Sequence, residues 1–312
     1  ADKKRSDTEK RKILQEAMDR FRRCESWEAT ARSRFRDDVK FTEADAYNMW
    51  QWPAEVQASR TKRPMLTINR ARQHALDILN DARQSRIAVK IRPVRGGATY
   101  KAAEMLEGVI KHIEYASNAN SAYQSALKFG VQGGIGYVRL ATDYMGDDTF
   151  DQDVFIRGYF SSDAVLGLYL DPDIKEFDGS DAKFGFAFTD MVRDEFEAAY
   201  PKFKDTASSA EGGLGTGGEL QGAGKVRICE YFRCVQEDAK LVRYIDPATG
   251  QEAIKTAAEI DKEMLAAVID DPSTAMRQIV LTKVEHFKII GDNIAEENEW
   301  PGKYVPIIRC VG

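Results

Sequence analysis

The sequence predicts an α+β protein in which long helices alternate with mixed sheets, and three observations carry that reading. Apolar residues recur at three- and four-residue steps through several segments of helix length. Between them lie short runs that alternate apolar and polar, bounded by Gly, Pro and Asp turns. The 312 residues are 43% apolar and 30% charged, which excludes collagen and bulk disorder and lets the chain bury a core without disulfide or metal clips. At roughly 150 residues per domain, the length fits about two domains.

Residues 1–60 read as a helical N-terminal segment. Ile13, Leu14, Ala17, Phe21 and Cys24 make one apolar stripe. From Ala29 to Thr42, Arg32, Arg34, Arg36 and Lys40 read as a solvated helix face, and Trp50-Gln-Trp-Pro53 as an aromatic knot for core or subunit contact. The next helix is expected to open at Pro64, with Leu66, Ile68, Ala71, Ala75, Ile78, Leu79 and Ala82 on its apolar face and Arg70, Arg72, Asp81, Arg83 and Arg86 opposite. Ile87–Ile91 alternates like a strand, and Pro93 and Gly96-Gly97 break the chain. One helix from about Tyr100 to Leu127 follows, with Ala103, Leu106, Ile110 and Ile113 at helical spacing. Gly133-Gly134-Ile-Gly136 comes after a helix and before the strand Tyr137–Tyr144. That is the reverse of a phosphate-binding order, so the cluster reads as a helix C-cap and turn.

Residues 153–190 alternate between strands and Asp/Gly turns. The acidic turn Asp171–Asp181 lacks the calcium-loop spacing and reads as a turn capped by carboxylates. Arg193–Tyr200 is a short helix stopped by Pro201, and the glycine-rich stretch 206–224 is an exposed loop. Its flanking runs, Phe184–Thr189 and Val226–Val235, are predicted to share a sheet, and Leu241–Ile245 with the turn Asp246–Gly250 to form a hairpin. Glu252–Ile269 is expected to be a helix with the stripe Ala253, Ala257, Ile260, Met264 and Val268, and residues 271–312 a small β-rich module at its tip.

The chemistry of an enzyme is missing from the pattern. There is no G-x-S-x-G, H-E-x-x-H or kinase-type set, and the three histidines form no constellation, so no enzyme activity, cofactor or metal is expected. The four cysteines make no C-x-x-C pair, and Cys229 and Cys234 point to opposite faces of a strand, which reads as inert thiols in a reduced, intracellular protein. No charge-free apolar stretch reaches the roughly 18 residues of a membrane span, and no signal peptide opens the sequence. With 45 basic against 50 acidic residues and a net charge of −5, this is not a strongly basic nucleic-acid binder. Both ends read as cut, because the chain begins at Ala1 and stops within the apolar run Tyr304–Gly312. A longer parent chain is therefore expected.

Five stretches, in order, resemble the portal (head-to-tail connector) proteins of short-tailed double-stranded DNA phages. They are Arg63–Asn69 with the helix and strand to Pro93, Gly134–Tyr144, Leu170–Ala182, Ile228–Phe232 with Asp246–Gly250, and Ile289–Ile290 with Val305–Ile308. The resemblance covers roughly residues 60–312. It implies a portal-type α+β fold: an N-terminal helical segment at 1–60, a wing at 61–250, a first stem helix at 251–270 and a clip at 271–312, with the second half of the fold absent. It also implies a dodecameric ring at one capsid vertex that passes double-stranded DNA during packaging and ejection. The implied partners are coat protein, scaffolding protein, the large terminase and later head-to-tail adaptors, in the virion after assembly in the host cytoplasm and without membrane contact.

On that basis Ala257, Ile260, Met264 and Val268 are expected to pack the stem ring, and Val280, Val284 and Ile289 to be buried by a neighbouring subunit. Arg277, Lys283, Glu285, Asp292, Glu296, Glu297 and Glu299 are expected to dock the terminase or adaptor. Two rival readings are another phage adaptor or scaffold-binding protein, and an enzyme acting on nucleotides or phosphates through Gly133–Gly136.

Overall fold

The computed structural model describes residues 5–45, 51–60, 63–85, 89–94, 99–146, 148–204, 225–245, 252–261, 264–265 and 274–312. The chain opens with a single 36-residue helix, α1 (Asp7–Thr42), whose N-terminus is a capping box between Ser6 and Glu9. A short helix α2 (Ala54–Ser59) precedes α3 (Arg70–Gln84), α4 (Tyr100–Ala116) and α5 (Ala119–Gly133). The first sheet is antiparallel with order β2-β1-β9, formed by Ile135–Tyr144 (β1), Gln152–Gly158 (β2) and Ile307–Val311 (β9). The short helices are α6 (Ser162–Val165) and α7 (Arg193–Ala199). The second sheet runs β3-β4-β5-β7-β8 through Leu168–Leu170, Phe184–Val192, Lys225–Ile245, Ala275–Ile290 and Asn293–Trp300, with β6 (Glu252–Thr256) paired to β5.

These elements stack in four layers. Alternate residues of β5 point to opposite sides of the large sheet. Cys229 and Tyr231, with Phe186, Phe287 and Ile289, lie against Ile13, Ala17 and Cys24 of α1. Phe232 and Val284 face the other way, into a core shared with Tyr137 and Ile307 of the small sheet. The far side of the small sheet is covered by α5. Ala122 and Ala126, one helical turn apart, sit over Gly158 and Gly136, where a Cβ would lie 2.6 Å from the Ala122 Cα and 2.0 Å from the Ala126 carbonyl oxygen. Phe35 and Val39 of α1 join the second core as well, because the helix passes beyond the edge strand β3.

Several expected elements appear as drawn and others differ for physical reasons. Gly134 caps α5 with φ 83° and leads into β1, as a helix C-cap does. β4 and β5 pair antiparallel, with Phe186 opposite Tyr231. Asp171 and Asp181 accept backbone N–H groups from Asp173, Lys183, Lys175 and Glu176, which is a carboxylate-capped turn. The helix expected from Tyr100 to Leu127 is two helices, because Asn118 adopts φ 48° and turns the chain. The helix expected to open at Pro64 begins at Arg70, capped by Asn69, and buries only Ala75 and Leu79. Residues 89–94 carry no strand. Trp50, Gly96-Gly97, the loop 206–224 and the turn 246–250 lie outside the described residues.

The largest difference is at Glu252–Ile269. Glu252–Thr256 is not helical; it forms β6, and Leu241–Ile245 pair with it residue for residue. The open edge of β5 offers unpaired backbone groups that a strand satisfies and a helix does not. Residues 275–311 are likewise no separate module. β7 pairs with β5 from Ile228↔Ile290 to Arg243↔Ala275, and β9 completes the small sheet.

The close approach of Gly136 to α5 generates a paired test. Gly136→Ala forces helix and strand apart and is expected to lower stability by roughly 2 kcal/mol in urea unfolding. Gly108→Ala, inside α4 with open space around its Cα, should instead raise stability by about 0.5–1 kcal/mol. Equal effects at the two positions would contradict this packing.

Candidate assembly surfaces

Residues 226–235 of β5, the most buried part of the strand, carry three charged residues among their apolar ones, and each is paired to a different element. Arg227 donates to Asp190 of β4 at 2.7 Å and 2.9 Å. Arg233 donates to Glu16 of α1 and Glu285 of β7, both at 2.7 Å, and Arg5 binds the same Glu285. Glu230 receives both terminal nitrogens of Arg139 from β1, while His286 of β7 contacts its Oε2 at 2.9 Å. The imidazole lies flat on Phe232, centroids 4.5 Å apart. The Arg139 Nε is buried and has no hydrogen-bond partner.

Arg139, Glu230 and His286 line a cavity of about 850 Å³ between the two sheets, together with Arg157, Lys288 and Trp300. Burial alone pushes the Glu230 carboxyl up. The His286 hydrogen bond and the Arg139 guanidinium outweigh it and lower it to about 2. Cations and anions in this cleft neutralise one another, so its chemistry is that of a structural clamp between sheets. Sequence inspection passed over the triad. The available signal was a lone carboxylate, Glu230, inside the apolar run Ile228–Phe232. Cys24 is buried, hydrogen-bonds to the Leu170 carbonyl and is pushed up to about 12 by that burial.

The structure separates the residues singled out from the sequence. Ile260 is buried on Val242 and Tyr244 of β5, with Ala257 and Met264 packed beside it, so this stripe covers its own chain. Val268 lies outside the described residues. Val284 and Ile289 are fully buried in their own chain's two cores, contrary to the expected burial by a neighbour; only Val280 is exposed, at 59%. The reason is that β7 is an interior strand, flanked by β5 and β8. Glu285 and Glu297 bind Arg5, Glu297 also binds Lys10, and Glu296 pairs with Lys288. The expected acidic rim is therefore divided between the two faces of β8. Lys283 pairs with Glu237 at 3.1 Å and reaches Glu299 at 4.0 Å, while Arg277 and Asp292 stay exposed. Arg32, expected in a solvated face, is half-buried: it binds the Leu166 and Leu168 carbonyls and stacks on Tyr169.

Among the described residues, two surfaces combine exposed apolar side chains with charge of one sign. Between residues 60 and 101 stand eleven Lys and Arg against only Asp77 and Asp81, in a chain whose net charge is −5. Arg63, Arg70, Arg72 and Lys101 are exposed there without ion-pair partners among the described residues, interleaved with exposed Leu66, Ile68, Val94 and Tyr100. The outer side of α4 adds exposed Met105, Leu106, Val109 and Tyr115. The second surface is the tip of the β1–β2 hairpin, which holds five Asp and no basic residue between 143 and 153. Tyr144, Met145 and Phe150 are exposed at that tip. Apolar area of this extent on a helix-rich surface marks a protein contact.

The profile of the phage P22-like portal proteins matches residues 18–312. The chain belongs to that family. Among curated proteins it is similar to the portal protein of Acyrthosiphon pisum secondary endosymbiont phage 1, with 24% identity over 314 aligned positions that cover 96% of this chain. The chain spans about 42% of that relative's length. Portal proteins are structural rather than enzymatic, which agrees with the clamp chemistry of the cleft and with Gly133–Gly136 serving as a helix cap. No described helix is long and apolar enough to cross a membrane.

The clamp makes this portal chain acid-sensitive in a predictable direction. Because the Glu230 carboxyl is lowered in the folded state, its contribution is complete above the ordinary carboxylate range and is lost as pH falls towards about 2. Glu230→Gln is expected to cost ~3 kcal/mol at neutral pH, since it leaves Arg139 buried without a counter-charge. Urea unfolding at about pH 6 and about pH 3 checks it, and the gap between wild type and variant should shrink at the lower pH. A constant gap contradicts the clamp.

Proposed function

We propose that this chain is the wing of a portal subunit, which assembles with its copies into a dodecameric ring at one vertex of the phage head. Double-stranded DNA passes through the channel of that ring during packaging and ejection. The proposed partners are coat protein, scaffolding protein during assembly, the large terminase, and the head-to-tail adaptors that replace it. The particle is a virion component assembled in the host cytoplasm.

The observation that carries the reading is the family match over residues 18–312, joined to apolar faces on α3 and α4 that residues 1–312 leave in water. The pairing of β7, β8 and β9 into the two sheets supports a wing that extends past residue 250. Docking of the terminase or adaptor is proposed for the charges near 271–312 that remain exposed, namely Arg277, Asp292 and Glu299. A stem contact through Ala257, Ile260, Met264 and Val268, and a clip contact through Val280, are proposed only for whatever area of those side chains their own chain leaves free.

Negative-stain images of the purified full-length protein test the reading. Rings with a central channel are the expected result. A monomer by light scattering at about tens of micromolar would overturn it, since an obligate assembly interface saturates in that range.

A further inference from the structure

We propose that neighbouring subunits join by seating the acidic β1–β2 hairpin tip of one copy on the basic, apolar surface of residues 63–72 of the next. The inference deepens the portal reading and rests on it for ring closure.

Three features of the two surfaces match. Their charges are opposite: Asp148 and Asp151 are exposed on the tip, and Arg70 and Arg72 on the face. All four lack ion-pair partners among the described residues, so each is available to a second chain. Both surfaces also present side chains that water penalises. Phe150 is 97% exposed, and Ile68 is 82% exposed. Residues 1–312 therefore cover neither surface. Burying Phe150 against Leu66 and Ile68 removes apolar area from water on both partners at once.

The geometry fixes the type of contact. The tip and the face are different patches of one molecule, so their union is head-to-tail. Such a contact propagates until it closes, which is what a ring requires and what a two-fold dimer does not produce. Protein is favoured over nucleic acid as the occupant, because aliphatic side chains such as Leu66 and Ile68 give a phosphate backbone nothing to bind.

The test is a charge exchange in the full-length protein, with the wild type imaged first. Absence of wild-type rings would fail the portal reading itself. If those rings form, R70E/R72E and D148R/D151R are each expected to reduce the ring fraction about tenfold at fixed concentration, and combining all four changes to restore it to within about threefold. Phe150→Ser should reduce it without altering the charge. Circular dichroism and melting temperature should stay unchanged, since every altered side chain is exposed. Intact rings in either double variant, or a combined variant no better than the worse of the two, overturn the proposal. Intact rings with loss of DNA retention in R70E/R72E would assign the basic face to DNA and also overturn it.

Discussion

Residues 226–235 of β5 are covered on both faces and still carry Arg227, Glu230 and Arg233, and the rest of the structure follows from that constraint. A charge inside a sheet is stable only when it is paired and hydrogen-bonded. Each partner comes from a different layer: Asp190 within the sheet, Arg139 from the small sheet, Glu16 from α1. The ion pairs therefore set the register of layers that apolar packing alone leaves free to slide. Apolar contact supplies the stability, and the buried charges choose one arrangement of the layers.

Helix α1 meets this constraint from outside. It covers one face of the large sheet with Ile13, Ala17 and Cys24, then passes the edge strand and enters the other core with Phe35 and Val39. At the crossing, Arg32 closes the edge by binding the Leu166 and Leu168 carbonyls. Those carbonyls otherwise offer an open edge to another chain. The two cores beside the sheets are closed by residues of this chain, while exposed apolar side chains gather with like charge at residues 63–72 and at the β1–β2 hairpin tip. That division separates the part of the molecule that folds from the part left for assembly.

The stripe Ala253, Ala257, Ile260 and Met264 shows how a correct pattern can carry a wrong element. These residues do share one buried cluster with Val242 and Tyr244, as their helical spacing requires. They reach it through a strand and a turn, because the edge of β5 is within hydrogen-bonding reach of 252–256. Periodicity reports which residues are buried together and says nothing of a neighbouring sheet edge. The same blindness affected Val284 and Ile289, whose burial was foreseen but assigned to another subunit.

The sequence by itself determined the α+β class, the cysteines on opposite sides of β5, the cap at Gly134 and the pairing of β4 with β5. These depend on local periodicity and on residues with narrow backbone preferences. The ordered motifs from Arg63 to Ile308 also carried the family. Tertiary structure alone decided the placement of 275–311 within both sheets and the clamp Arg139–Glu230–His286. It also decided the role of Arg32 and the split of Glu296 from Glu297. Except for Lys288 beside Glu296, the deciding partner is far away in the chain. Charge and hydropathy at one position do not reveal which distant backbone edge or counter-ion folding brings beside it.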